Sequence, residues 1–106
     1  MTKNGMLPIH PGETLREDFL VPLGMSASAL AKELRVGAPS VNEIVRERRG
    51  VSPAMALRLS RYFGGNAQWW INMQATYDLK VAELAVSDQI EREIQPRLRV
   101  GSSLTR

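Results

Sequence analysis

The chain has 106 residues, room for one modest domain. Hydrophobic residues make up 43% and charged residues 24%, a globular balance that argues against disorder away from the ends. Cysteine is absent, which excludes disulfides, thiolate nucleophiles and cysteine metal sites, and the formal net charge of +3 is only a weak cue toward nucleic acid.

Residues 1–9 hold one lysine and few apolar side chains and read as a flexible lead. They lack the apolar core of a secretion signal, and no apolar run approaches a bilayer span, so the expected location is the cytoplasm. His10-Pro11-Gly12 punctuates the start of a first helix, expected over 12–20. Its apolar face is Leu15, Phe19 and Leu20, and Glu13 stands in its first turn, where the helix dipole favours an anion. Pro22 and Gly24 are expected to end it. Ser26 is a good N-cap for a second helix over 27–35, with Leu30, Ala31 and Leu34 inward. Gly37 breaks the chain. Pro39 suits the first turn of a third helix reaching Arg46, which buries Val41, Ile44 and Val45.

A basic loop, Arg46-Glu47-Arg48-Arg49-Gly50, follows, with Glu47 diluting its charge. Ser52-Pro53 starts a fourth helix that buries Met55, Ala56, Leu59 and Phe63 and stops at Gly64-Gly65. Asn66 caps a fifth, longer helix. Along it Trp70, Met73, Tyr77, Val81 and Leu84 recur at four-and-three spacing, one apolar stripe. No period-two strand pattern is convincing. The expected fold is all-α, with five helices in one domain over 10–88. Residues 89–106 form a tail, partly helical or disordered, with Pro96 and Gly101 inside it.

The informative stretch is 26–46: short helix, tight turn, second short helix. This is a helix-turn-helix unit, in which the second helix protrudes into the major groove. Ser40, Asn42 and Glu43 lie on the exposed side of that helix, with Pro39 in its first turn. Asn pairs bidentately with adenine, and Glu accepts from the cytosine amino group. Arg46, Arg48 and Arg49 follow, where phosphates run, and Ser26 and Ser28 can donate to phosphate oxygens. Taken singly these residues are ordinary: Ser26 is a cap in any fold, and polar helix faces are usually just solvated. The ordered set of cap, turn, proline-initiated helix and trailing arginines carries the reading.

Catalysis has little footing. The one histidine, His10, has no cysteine or second histidine near it and reads as a capping or surface residue. Glu17 and Asp18 are adjacent on a helix and diverge. No glycine-rich phosphate loop is present. No metal, cofactor or enzymatic activity is expected.

The stretch from His10 to Gly24 (HPGETLREDFLVPLG) resembles the opening of HigA-type antitoxins, also described as VapI-like regulators, which carry the Xre/Cro/C1-type, lambda-repressor-like helix-turn-helix. Residues 26–34, 41–45, 56–64 and 69–79 are similar to the same pattern, and the resemblance spans 7–82. It implies a bacterial antitoxin that binds operator DNA as a homodimer, represses its own operon and neutralises a HigB-type mRNA endonuclease. By position, it assigns base reading to Pro39, Ser40, Asn42 and Glu43. Phosphate contact falls on Ser26, Ser28, Arg46, Arg48 and Arg49, and the fifth-helix stripe is implied to contribute to dimerisation. Ala27 and Ala38 depart from the family's polar residues at those places. Two other readings share the fold: a stand-alone regulator with no toxin partner, and an interaction module that has lost DNA binding.

Overall fold

The computed structural model describes residues 8–98, all helix and connection with no strand among them. Five helices follow in chain order. The first, α1, is built from Pro11–Thr14, a π turn at Leu15–Leu20, and Val21–Leu23. Then come α2 (Ala27–Leu34), α3 (Ala38–Val45), α4 (Pro53–Phe63) and α5 (Ala67–Glu93).

The caps explain most of the boundaries. Ser26, Ser52 and Asn66 each accept, through the side chain, a backbone N–H three residues on, from Ala29, Met55 and Trp69. His10 caps α1, its Nδ1 accepting from the Gly12 N–H two residues on at 2.8 Å. Gly24 ends α1 in the left-handed region at φ 62°, with the Met25 N–H reaching back to the Leu20 carbonyl.

Three boundaries differ from expectation. Pro22 lies inside α1 and does not end it. The turn ahead of it bonds five residues back, Val21 N–H to the Arg16 carbonyl, and this displaces the carbonyls that a proline ring would otherwise strike. The break after α2 falls at Arg35 and not at Gly37. Arg35 takes φ 61°, and the Val36 N–H closes on the Ala31 carbonyl at 3.0 Å. Helix α5 runs five residues past 88 to Glu93, helped by a Gln89–Glu93 side-chain bond. Pro96 then bars further helix.

The core draws on every helix: Leu15 and Leu20, Leu30 and Leu34, Val41 and Ile44, Met55 and Leu59, and Trp70. Phe19 ties α1 to α4 and α5, its ring centroid 4.8 Å from Phe63 and 5.5 Å from Trp70. Ala31 is 1% exposed, a small residue where α2 and α3 close on each other. Beyond Tyr77 the fifth helix leaves the body, and the molecule is 56 Å long against 26 × 24 Å in cross-section.

The tightest approach joins α1 to α3. A Cβ at Gly12 would overlap the Ile44 carbonyl oxygen. Gly12→Ala is therefore expected to lower the unfolding free energy by roughly 2–3 kcal/mol in urea titration, through forced separation of the two helices.

His10 gives the fold a pH dependence. The side chain is buried, edge-on to Tyr77 at 4.8 Å. Burial lowers its pKa; Glu47 and Asp78 oppose that shift, and Arg16 adds to it. The unfolded chain therefore binds the proton more readily. Stability is complete above the ordinary histidine value of ~6.5 and falls as pH drops below it. His10→Asn keeps a capping oxygen without the titration, so between about pH 7 and 5.5 its thermal midpoint should fall less than that of the wild type.

Candidate nucleic-acid interface

Helices α2 and α3 cross over a three-residue turn, Arg35-Val36-Gly37, the helix-turn-helix geometry expected from sequence. Val41 and Ile44 are 0% and 1% exposed, so α3 is fixed on its inner side. Its other side is free: Pro39 is exposed, and Ser40, Asn42 and Glu43 are partly so. The four residues assigned to base reading thus share one accessible face at the start and middle of α3.

Asn42 is already oriented. Its Nδ2 donates to the Ala38 carbonyl at 3.1 Å, which leaves Oδ1 and the second amide hydrogen for a base edge. Glu43 lies 3.8 Å from Arg48, an exposed ion pair worth little in energy that draws Arg48 toward α3. Arg46 and Arg49 are exposed and make no ion pair among the described residues. Ser26 caps α2 by accepting an N–H, so its own hydroxyl proton stays available to a phosphate. Ser28 is exposed two residues further on.

The supporting contacts were not legible in the sequence. Arg16 on α1 reaches the end of α3, where Nη1 donates to the Val45 carbonyl and Nη2 to the Glu47 carboxylate at 3.3 Å. A cation there satisfies orphan carbonyls and complements the helix dipole. The same guanidinium holds Glu17 at 2.9 Å, and that hydrogen bond, more than any other influence, raises its pKa. Glu47 is left-handed at φ 63° and closes α3 as Arg35 closes α2, with the Arg48 N–H on the Glu43 carbonyl. Its carboxylate is turned toward Arg16. On the far side, Gln74 of α5 accepts the Val51 N–H at 2.8 Å and donates to Asp78 at 2.9 Å. The basic loop is thus fastened to α1 at one end and to α5 at the other. These partners lie 23 to 31 residues apart in sequence, beyond any local pattern.

The stripe along α5 is split. Trp70 is 1% exposed and belongs to the core, which corrects its assignment to an interface: its ring is enclosed by Phe19 and the neighbouring helices. Met73 and Tyr77 are half-buried, while Val81 and Leu84 stand clear of the body. No cluster of histidine or acidic side chains able to hold a metal occurs among the described residues, and no described helix is long and apolar enough to cross a membrane.

A short helix, a tight turn and a buttressed helix with a free polar face define the helix-turn-helix class. The helix-turn-helix family pattern matches residues 15–70. Virulence-associated protein I of Dichelobacter nodosus is 63% identical over 81 residues, covering 76% of this chain and 75% of that protein. Among solved structures, the Pseudomonas aeruginosa antitoxin HigA with the higBA promoter superposes with a TM-score of 0.83 at 55% identity, covering 86% of this chain and 99% of that one. Antitoxin GraA in complex with its operator gives 0.83 at 48% identity, covering 93% and 100%. The chain belongs to the helix-turn-helix family, in its HigA- and VapI-type branch.

Arg16→Met should remove the tether at the end of α3 while leaving the core intact. The expected loss is about 1 kcal/mol of stability, with amide exchange around Arg46 and Glu47 accelerated well beyond that of Leu59. Uniform protection across the two segments would mean that Arg16 does not hold the loop.

Proposed function

We propose that this chain is an antitoxin that binds operator DNA as a dimer, represses its own operon and neutralises a HigB-type mRNA endonuclease. The observation that carries the reading is the free polar face of α3, rigidly buttressed, in a chain 55% identical to an antitoxin HigA solved with its promoter. In this reading Asn42 and Glu43 read base edges, with Pro39 and Ser40 against the same groove. Ser26, Ser28, Arg46, Arg48 and Arg49 hold the phosphates. The projecting part of α5, beginning at Met73 and Tyr77 and exposing Val81 and Leu84, contributes to the dimer. Two recognition helices then enter successive major grooves about 34 Å apart. The role is binding and not catalysis. Co-expression with the endonuclease tests the toxin arm: growth restored by this chain supports it, and unrelieved arrest removes it.

The DNA arm has a quantitative test. Each phosphate contact contributes about 0.9 to the slope of log affinity against log salt. Arg48→Ala with Arg49→Ala should therefore weaken binding to promoter and unrelated duplex alike, and flatten that slope by about 2 in fluorescence anisotropy. An unchanged slope would place both arginines away from the backbone.

A further inference from the structure

A second feature of the surface lies on α4, with Arg58 next to Ser40 and Arg49 on one side and Tyr62 next to Ser26 on the other. Helix α4 turns Leu57, Arg58, Arg61 and Tyr62 outward, and with Glu33, Leu34 and Arg35 at the end of α2 they line an open groove of about 540 Å³. Leu57 is 63% exposed and Tyr62 42%, a large apolar area left uncovered beside the end of α2. None of the three arginines makes an ion pair among the described residues, and α4 carries no acid. The groove therefore suits an apolar and acidic occupant. Its single acid, Glu33, lies on the α2 side.

The same chain carries that occupant. Between 78 and 93, α5 holds five acids against two bases. Val81, Leu84, Asp88 and Glu91 recur at three-and-four spacing and share one face of the projecting helix, apolar first and acidic after. All four are exposed, Leu84 to 57%, and neither Asp88 nor Glu91 is paired among the described residues. From Lys80 to Glu93 the helix offers about 21 Å of length clear of the body.

We propose that the groove is filled by this α5 stripe from a second copy of the chain. Val81 and Leu84 pack on Leu57 and Tyr62, while Asp88 and Glu91 face Arg58, Arg61 and Arg35. Two-fold symmetry makes the junction twice, so each copy is donor and acceptor at once. The self-complementary charge singles out another copy over a foreign acidic partner. The inference rests on the dimer reading proposed above and names the surface that α5 meets. Arg58 also borders the cleft that holds Ser40 and Arg49, so DNA phosphate is the competing occupant.

The test is a charge swap read by sedimentation equilibrium at micromolar concentration on the full chain, with circular dichroism to confirm helix content. The wild type should be a dimer. Arg58→Glu with Arg61→Glu should raise the dimer dissociation constant at least tenfold, and so should Asp88→Lys with Glu91→Lys. An equimolar mixture of the two variants, one carrying a mass tag, should form the heterodimer, because both junctions are again complementary. The fourfold variant should recover self-association, which separates a lost junction from a lost fold. Dimers that ignore both reversals, or that fail to return on mixing, overturn this pairing alone. If the arginine variant stays dimeric and loses salt-dependent affinity for unrelated duplex, the groove faces DNA. A monomeric wild type removes the dimer reading itself, and this pairing with it.

Discussion

The close approach of α1 to the end of α3 at Gly12 is the constraint on which the rest depends. Helix α3 has eight residues, too few to stand as an isolated helix in water. Its inner residues, Val41 and Ile44, fix it sideways, but packing on one face still allows it to roll and fray at its end. Gly12 removes that freedom by letting the α1 backbone rest on the Ile44 carbonyl, where any side chain would hold it off. The polar face of α3 can stay free of protein contact because the other side and the C-terminal end are held so closely.

The end of α3 is also where the chain accepts unfavourable backbone. Arg35 and Glu47 both take positive φ without being glycine, at a cost of order 1 kcal/mol or more each. Glycine would relieve the backbone and give up a charged side chain. At Glu47 the side chain has a stated use, since it bonds to Arg16 and ties the loop to α1. At Arg35 the side chain lines the groove on α4. In both places a strained residue ends a helix of the helix-turn-helix unit, and its side chain reaches surface outside it.

What was legible in the sequence follows a physical division. Caps act within three residues, so Ser26, Ser52 and Asn66 mark their helices correctly, and spacing identifies the buried leucine, isoleucine, valine, methionine and tryptophan side chains of the helices, though not Pro11 and Thr14 of α1. Left-handed glycine at Gly24 was equally plain. Features made by distant partners were hidden. Pro22 looked like a terminator because the π turn that tolerates it arises from tertiary packing. Gly37 looked like the break because a non-glycine at positive φ has no local signature. The α5 stripe read as uniform, although only its first part meets the body, and nothing in its spacing marks where the body ends. His10 reads as a capping or surface residue; it caps, and it does so from the interior. The face of α3 that carries the candidate site was readable residue by residue, whereas the Arg16, Glu47 and Gln74 contacts that hold it were not.

The net charge of +3 conceals how the charges are arranged. Between 26 and 65 the chain has seven bases and three acids, while 10–24 and 78–93 together hold eight acids against three bases. A uniform excess of three charges would attract a polyanion weakly and in any orientation. Segregated charge acts differently: an acidic α5 repels a phosphate backbone while the α3 loop attracts it, so encounter is biased toward one face before any base is read. In the proposed pairing, the acids that disfavour DNA along α5 are the same acids that would suit it to a basic protein surface. One distribution of charge would thus serve both contacts proposed above. The compact body supplies the basic surface, and the part of α5 that leaves the body supplies the acidic one.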